Sequence, residues 1–274
     1  IFQDLSHQHG VHARHWQARR ADPCYGQRCT LACLSEARCP GSGAFRSGDY
    51  LILQSGGDRY AGVAFVVHYS IAASILAFYP YSARHAALSF KVAGGELTVF
   101  AVYLPYETYD NADLRMDAFA ALEDSIRERQ RHGPVLAVGD FNKSIRYRRA
   151  CETAVFGPHL YSPLGARPRQ SAQTLIADHA DPPLMERGDP PNRDLLAQLC
   201  LTTQLAARQT FLQKDQAAKV TSYSKGAPVP RQGSVDYALH KELDHTLISI
   251  GYQRALQDIR SRQHLQVGRT THFI

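Results

Sequence analysis

Residues 133–142 read Gly-Pro-Val-Leu-Ala-Val-Gly-Asp-Phe-Asn, a short apolar run that starts at a Gly-Pro break and ends in a carboxylate and a carboxamide. Val135 to Val138 is too short and too uniformly apolar for a surface helix, so the run reads as a buried strand. Alternation along a strand puts Asp140 and Asn142 on one side and returns Phe141 to the core. An ionised Asp at the rim of a sheet is costly without a partner or a task. The pair suits orienting a water with Asp140 and donating to a phosphate oxygen from Asn142. Standing alone, Gly-Asp-Phe-Asn also suits a turn, because Gly, Asp and Asn are favoured there.

The segments around this run decide its setting. Strand-like stretches occur at Thr30–Leu34, Tyr50–Gln54, Ala61–His68, Ala87–Val92 and Leu97–Leu104, the last two joined by the hairpin-like Ala93-Gly94-Gly95-Glu96. A helix follows, capped by Asn111 or Asp113, with Met116, Phe119, Leu122 and Ile126 at intervals of three and four. Arg127, Arg129 and Arg131 load its last turn, and Gly133-Pro134 stop it. Residues 146–190 read as loop, and a second helix starts near Asn192 with Leu195, Leu196, Leu199 and Cys200 turned inward. Further strand-like stretches are Val220–Tyr223, Ser234–Leu239 and Leu247–Ile250. Mostly antiparallel strands interrupted by a few helices predict an α/β fold: two packed sheets flanked by helices, a four-layer sandwich.

Composition bounds the function only loosely. The 274 residues carry a net charge of +6, which permits an anionic partner such as nucleic acid without demanding one. No stretch approaches the ~20 apolar residues needed to cross a bilayer, so no membrane partner is expected, and no obligate protein partner is evident. The chain opens at Ile1 inside an apolar segment, with neither initiator Met nor charged-then-apolar leader, and reads as a fragment of an intracellular protein. Cys24, Cys29, Cys33 and Cys39 lack the paired two-residue spacing of zinc knuckles, so unpaired thiols are the simpler account.

Taken in order, six short segments resemble the endonuclease/exonuclease/phosphatase family. They are Cys33-Leu34-Ser35-Glu36-Ala37-Arg38, Gly62 to His68, Val102-Tyr103-Leu104-Pro105, Gly139-Asp140-Phe141-Asn142, Ser234-Val235-Asp236-Tyr237-Ala238-Leu239 and Gly268-Arg269-Thr270-Thr271-His272-Phe273. They are most similar to its retrotransposon-type endonuclease branch and to craniofacial development protein 2-like sequences. The resemblance implies a DNase I-like domain over residues 30–274, preceded by an irregular or inserted segment, 1–29. It implies a metal-dependent phosphodiester hydrolase that nicks one strand of DNA and works in the nucleus. Glu36 would hold the divalent ion, Mg²⁺ or Mn²⁺ in its place. Asp140 would activate the water, Asn142 would donate to the phosphate, and Tyr103 would lie near it. His272 would contact the phosphate oxygens, oriented by Asp236. Beyond the motifs, the basic run containing Lys143, Arg146, Arg148 and Arg149 could grip backbone phosphates.

The sequence also departs from the family's pattern. The family's first strand, which ends in an Asn near the metal, is missing here. The family's Ser-Asp-His is Thr270-Thr271-His272, so Thr271 puts a hydroxyl where a carboxylate is expected. Asp244-His245 is a literal Asp-His pair, but it follows Asp236 too soon to cross the sheet and return to the site. Gln209 stands for an Asn and Ser222 for a Trp. These changes leave two alternatives open: a catalytically degenerate remnant that keeps the fold and weak nucleic-acid binding, or a phosphatase or sphingomyelinase-like member of the same superfamily.

Overall fold

The computed structural model describes residues 30–38, 40–57, 61–108, 110–162, 190–223, 227–231 and 234–259. The expectations for residues 1–29, Thr271 and His272 therefore lie outside the described residues. In chain order the strands are β1 (Leu31–Leu34), β2 (Gly43–Ser47), β3 (Tyr50–Ser55), β4 (Val63–His68), β5 (Ile75–Tyr79), β6 (His85–Val92), β7 (Gly95–Tyr103) and β8 (Val135–Asp140). They continue with β9 (Leu205–Ala207), β10 (Ser222–Tyr223), β11 (His240–Lys241) and β12 (Asp244–Ser249). The helices are the single turn α1 (Tyr69–Ala72), α2 (Ala112–Gln130) and α3 (Asn192–Thr203).

Two sheets carry the fold, one of four strands in the order β1-β4-β3-β2 and one of six in the order β5-β6-β7-β8-β12-β9. They pack face to face. Leu53, Val63, Phe65 and Val67 of the smaller sheet meet Ala86, Leu88, Val99 and Ala101 of the larger one. The opposite face of the larger sheet buries Phe100, Val102, Val135, Ala137 and Leu247 against Phe119, Leu122 and Ile126 of α2 and Leu196 and Leu199 of α3. Strands covered on both faces read as continuous apolar runs, which is why β7 and β8 lack polar alternation.

All pairings in the larger sheet are antiparallel except β7 with β8, which the crossover through α2 makes parallel. Gly139 permits this pair. It sits at φ +147°, and a Cβ built there would stand 2.0 Å from the carbonyl oxygen of Val102 on β7. Only glycine allows the two backbones to approach so closely.

Buried charge ties the loops beyond these strands to α3. Arg193 and Glu152, each 1 % exposed, form a two-pronged ion pair, and the Arg193 guanidinium lies 4.1 Å from the Tyr147 ring centroid. Arg115 on α2 donates to Asn192 Oδ1 and to the Pro190 carbonyl, both at 3.0 Å. Asn192 Nδ2 donates to the Pro105 carbonyl at 3.0 Å. The stretch after β7 and the stretch after β8 are thus braced on one scaffold.

The structure adds the strands β2, β5 and β9 to those predicted, shortens Val220–Tyr223 to β10, and replaces one predicted strand with a turn. Ser234–Leu239 is not a strand: the amides of Leu239 and His240 both donate to the Asp236 carbonyl and close a turn. The Asp236 carboxylate caps that turn by accepting from the Ala238 amide at 2.9 Å. Side-chain bonding of this kind competes with a strand ladder. The strand starts later, at Asp244, and it begins before the predicted Leu247.

If the glycine sets the β7–β8 approach, Gly139→Ala lowers unfolding stability by at least about 2 kcal/mol through clash and left-handed strain. A urea titration reads this as a lower midpoint, and an unchanged midpoint would contradict it.

Candidate active site

One rim of the larger sheet gathers the chemistry. In the β7–β8 register Tyr103 lies opposite Asp140, and in the β8–β12 register Asp244 lies opposite Asp140. Because β12 runs against β8, its first residue meets the last residues of the two parallel strands. Alternation then sets the facing. Phe100, Val102, Ala137 and Leu247 point to the helices, so Tyr103, Asp140 and Asp244 point toward the smaller sheet. From that sheet β1 ends at Leu34, and the following turn delivers Glu36. There the Tyr103 hydroxyl donates to Glu36 Oε1 at 3.1 Å. Glu36, Tyr103, Asp140 and Asn142 thus lie at one rim.

Local backbone strain is concentrated here. Among the described residues the non-glycine positions with positive φ are Glu36 (53°), Arg38 (49°), Asn142 (53°) and Gln204 (53°). The last ends α3, and the other three belong to this rim. Left-handed backbone costs of order 1 kcal/mol or more outside glycine, and it persists where the surroundings fix it. For Glu36 the fixing bond is that of the next amide, Ala37 to the Gly62 carbonyl at 2.8 Å.

Asp140 is 1 % exposed, and its Oδ1 accepts from the Asn142 amide at 2.7 Å. Asn142 leaves the extended path after Phe141 and swings its carboxamide inward, where Nδ2 donates to the Leu104 carbonyl at 2.7 Å. The carboxamide thus ties the end of β8 to the end of β7, with one of its two N–H groups so used. Burial, followed by the Glu36 charge and its hydrogen bond, pushes the Tyr103 phenol up to about 12. It stays a neutral donor at physiological pH.

Asp236 takes a different place from the one predicted. It is exposed in its turn between β10 and β11, and the strand-borne carboxylate facing Asp140 is Asp244. The expectation that Asp244 comes too soon after Asp236 fails because the chain between them makes only a turn and the two-residue β11, and β12 starts at Asp244 itself. His245 beside it is 1 % exposed and bridges two neighbours: Nε2 donates to the Lys143 carbonyl at 2.6 Å, and Nδ1 meets Gln209 Nε2 at 2.5 Å. Gln209 Oε1 in turn accepts from the Thr246 amide at 3.3 Å. Burial pushes His245 down to about 4, so it is a neutral brace.

The four loop cations are held within the chain. Lys143 pairs with Glu107 at 3.3 Å, and Arg146 donates to the Tyr237 carbonyl at 2.9 Å. Arg148 donates to the Phe156 carbonyl at 3.2 Å, and Arg149 pairs with Asp194 at 2.9 Å.

The donor set suits a hard cation. Glu36 is 35 % exposed, and its Oε2 lies 3.8 Å from the Arg38 guanidinium. Among the described residues no group of three His, Cys, Asp or Glu side chains is placed to hold a metal ion together. One or two carboxylates completed by water and substrate phosphate is the arrangement Mg²⁺ prefers, so the residues present fit such an ion.

A model of the Endonuclease/Exonuclease/phosphatase family matches residues 10–261. No curated protein matches the sequence. Among solved structures the fold is similar to the 3′ phosphatase NExo from Neisseria bound to product DNA hairpin, with a TM-score of 0.56 at 17 % identity, covering 89 % of this chain and 86 % of that one. It is similar to the catalytic domain of Xenopus laevis APE2, with a TM-score of 0.57 at 15 % identity over 89 % and 81 %. An AP endonuclease from Archaeoglobus fulgidus gives 0.52 at 13 % identity over 89 % and 86 %.

The buried histidine makes a pH prediction. The unfolded chain binds a proton at His245 near the ordinary 6.5, and the native chain only near 4. Protonation thus favours unfolding, and stability falls as pH drops through that window, by on the order of 2–3 kcal/mol from this residue. Comparing denaturation of the native chain and His245→Asn at pH 7 and pH 4.5 should show the shallower decline in the variant. Equal declines would contradict the assignment.

Proposed function

Because the chain belongs to the Endonuclease/Exonuclease/phosphatase family, we propose that it is a metal-dependent phosphodiester hydrolase acting on DNA. The observation that carries the reading is the convergence of Glu36, Tyr103, Asp140 and Asp244 on one rim. In its narrower form the reading is a retroelement-derived endonuclease that nicks one strand in the nucleus, supported by the order of the sequence motifs. Among the described residues no helix is long and apolar enough to cross a membrane.

In this proposal Glu36 holds the divalent ion, Mg²⁺ or Mn²⁺. The ion would neutralise charge that develops on the non-bridging oxygens. Tyr103, a neutral donor, fixes the Glu36 carboxylate through its 3.1 Å hydrogen bond. Asp140 orients the attacking water and takes its proton. Asn142 holds the Asp140 carboxylate through its backbone amide and offers its second side-chain N–H to a phosphate oxygen. Asp244, opposite Asp140 on β12, adds a second strand-borne carboxylate to the rim, and the phosphate-contacting role of His272 is supported by the sequence motif alone. The loop cations Lys143, Arg146, Arg148 and Arg149 contact flanking phosphates only by giving up the intramolecular bonds they now make.

The test is incubation of the purified chain with supercoiled plasmid and Mg²⁺, with and without chelator. Chelator-sensitive nicking is expected, with Asp140→Asn slower by about 10²–10⁴-fold, the usual span for a lost general base. Cleavage unaffected by Asp140→Asn would contradict the assignment. The likeness to a Neisseria 3′ phosphatase favours a second reading, removal of a terminal phosphate from DNA. That reading predicts an untouched plasmid and release of phosphate from a 3′-phosphorylated oligonucleotide. Thr271→Asp should raise metal-dependent turnover roughly tenfold if one missing carboxylate alone limits the site. No gain would favour the degenerate remnant.

A further inference from the structure

Glu242 is a buried carboxylate that the proposed hydrolysis does not use. It stands two residues before Asp244 and is 2 % exposed, and its Oε2 accepts no hydrogen bond among the described residues. Lys219, itself 5 % exposed, acts on it through space, while the Lys219 ammonium donates to the His159 carbonyl. An ionised carboxylate taken out of water is costly unless a positive charge meets it. Burial pushes the Glu242 carboxyl up, the Lys219 charge opposes that, and the Asp244 charge adds to it.

A cavity of about 30 Å³ adjoins this group, lined by Glu242, Asp244 and Thr246 on one side and by Gln209, Lys219 and Thr221 on the other. A water-sized particle needs on the order of 10–15 Å³ of such space, so the cavity admits one small ion. Its walls are fixed by hydrogen bonds. Thr221 Oγ1 accepts from the Leu243 amide at 2.9 Å and from the Asp244 amide at 3.0 Å. The Glu242 amide donates to Ser144 Oγ at 3.3 Å, and Gln209 Oε1 accepts from the Thr246 amide at 3.3 Å. Glu242 and Asp244 bring two negative charges and Lys219 one positive charge. Lys214, which also lines the cavity, is paired with Asp258. The lining is therefore one positive charge short.

We propose that this cavity binds a monovalent metal cation, K⁺ or Na⁺, held by the carboxylates of Glu242 and Asp244 and by the Thr246 hydroxyl. One unit charge completes the count. Mg²⁺ keeps several waters and Ca²⁺ takes roughly six to eight oxygens, and the cavity has room for neither shell. Asp244 also lies opposite Asp140 in the sheet, so the ion holds a rim carboxylate from behind. The inference goes beyond the hydrolase reading and stands on Glu242, not on Glu36.

The test is thermal unfolding of the full chain, with chelator to keep divalent ions out, in KCl, NaCl and tetramethylammonium chloride at equal ionic strength. Tetramethylammonium screens charge equally but is too large for the cavity. A cation in about tenfold excess over its dissociation constant stabilises the fold about tenfold, which raises Tm by roughly 2–5 °C for a chain of this size. KCl or NaCl should give that rise over tetramethylammonium chloride, and Glu242→Gln should melt at one temperature in all three salts. As a direct readout, the native chain should broaden the thallium NMR line of added Tl⁺ nitrate, a stand-in for K⁺, and Glu242→Gln should leave it sharp. Thr246→Val keeps both carboxylates and should weaken binding severalfold, so the site stays testable if Glu242→Gln does not fold. Equal melting in the three salts with a sharp thallium line overturns the proposal, and Glu242 is then met by a proton or a water. A salt response that persists in Glu242→Gln also overturns it, because the ion then sits elsewhere.

Discussion

The absence of a side chain at Gly139 is the constraint on which the rim depends. A methyl group there would occupy the Val102 carbonyl, so the parallel β7–β8 pair forms only with glycine at this position. That pair puts Tyr103 level with Asp140, and the antiparallel neighbour β12 adds Asp244 at the same level. Three polar side chains are thereby positioned by sheet hydrogen bonds rather than by loops. Sites built on regular elements hold their geometry better than sites carried on loops. Glu36 joins from the other sheet through a turn whose left-handed backbone is held by the bond between Ala37 and Gly62. The strain there persists because both sheets hold the turn in place.

Electrostatics are arranged in two tiers. Behind the rim, charge is buried and paired: Arg193 with Glu152, and Arg115 with Asn192 and the Pro190 carbonyl. Removing one partner of such a pair is more damaging than the pair is stabilising, because the remaining charge stays buried. The braces fix the loops that follow β7 and β8. At the rim Asp140 is as buried as Glu152, and Glu36 is the carboxylate that reaches water, beside the neutral Tyr103 phenol. The net charge of +6 does not gather as unengaged cations on the 143–149 loop, because Lys143, Arg146, Arg148 and Arg149 each bond a partner within the chain.

Much of this was legible in sequence. The apolar run before Asp140 and the hairpin at 93–96 announce the strands that carry the site, and the α2 periodicity announces the helix that makes β8 parallel. The Glu36 turn was legible as a strand end, although its left-handed conformation was not, since Ser-Glu-Ala has no glycine to signal it. Asp236 misled because Val235, Tyr237 and Leu239 alternate as a strand would. The alternation is overridden by an Asp that caps its own turn and by the His240 ring, whose Nδ1 accepts from the Asp236 amide at 3.1 Å. Asp244 carried its own signal in the apolar Leu247 and Ile248 that follow it, which extend back to it at strand spacing.

The central claim, that a cation-binding phosphoester site lies where the two sheets meet at this rim, is tested most directly by titrating Mn²⁺ into the isotopically labelled chain and following paramagnetic line broadening by NMR. The amides of residues 35–37, 103–104, 140–142 and 243–245 should broaden first, and Glu36→Gln should shift that broadening to much higher Mn²⁺. Broadening that begins elsewhere on the chain, or that Glu36→Gln leaves unchanged, would contradict it.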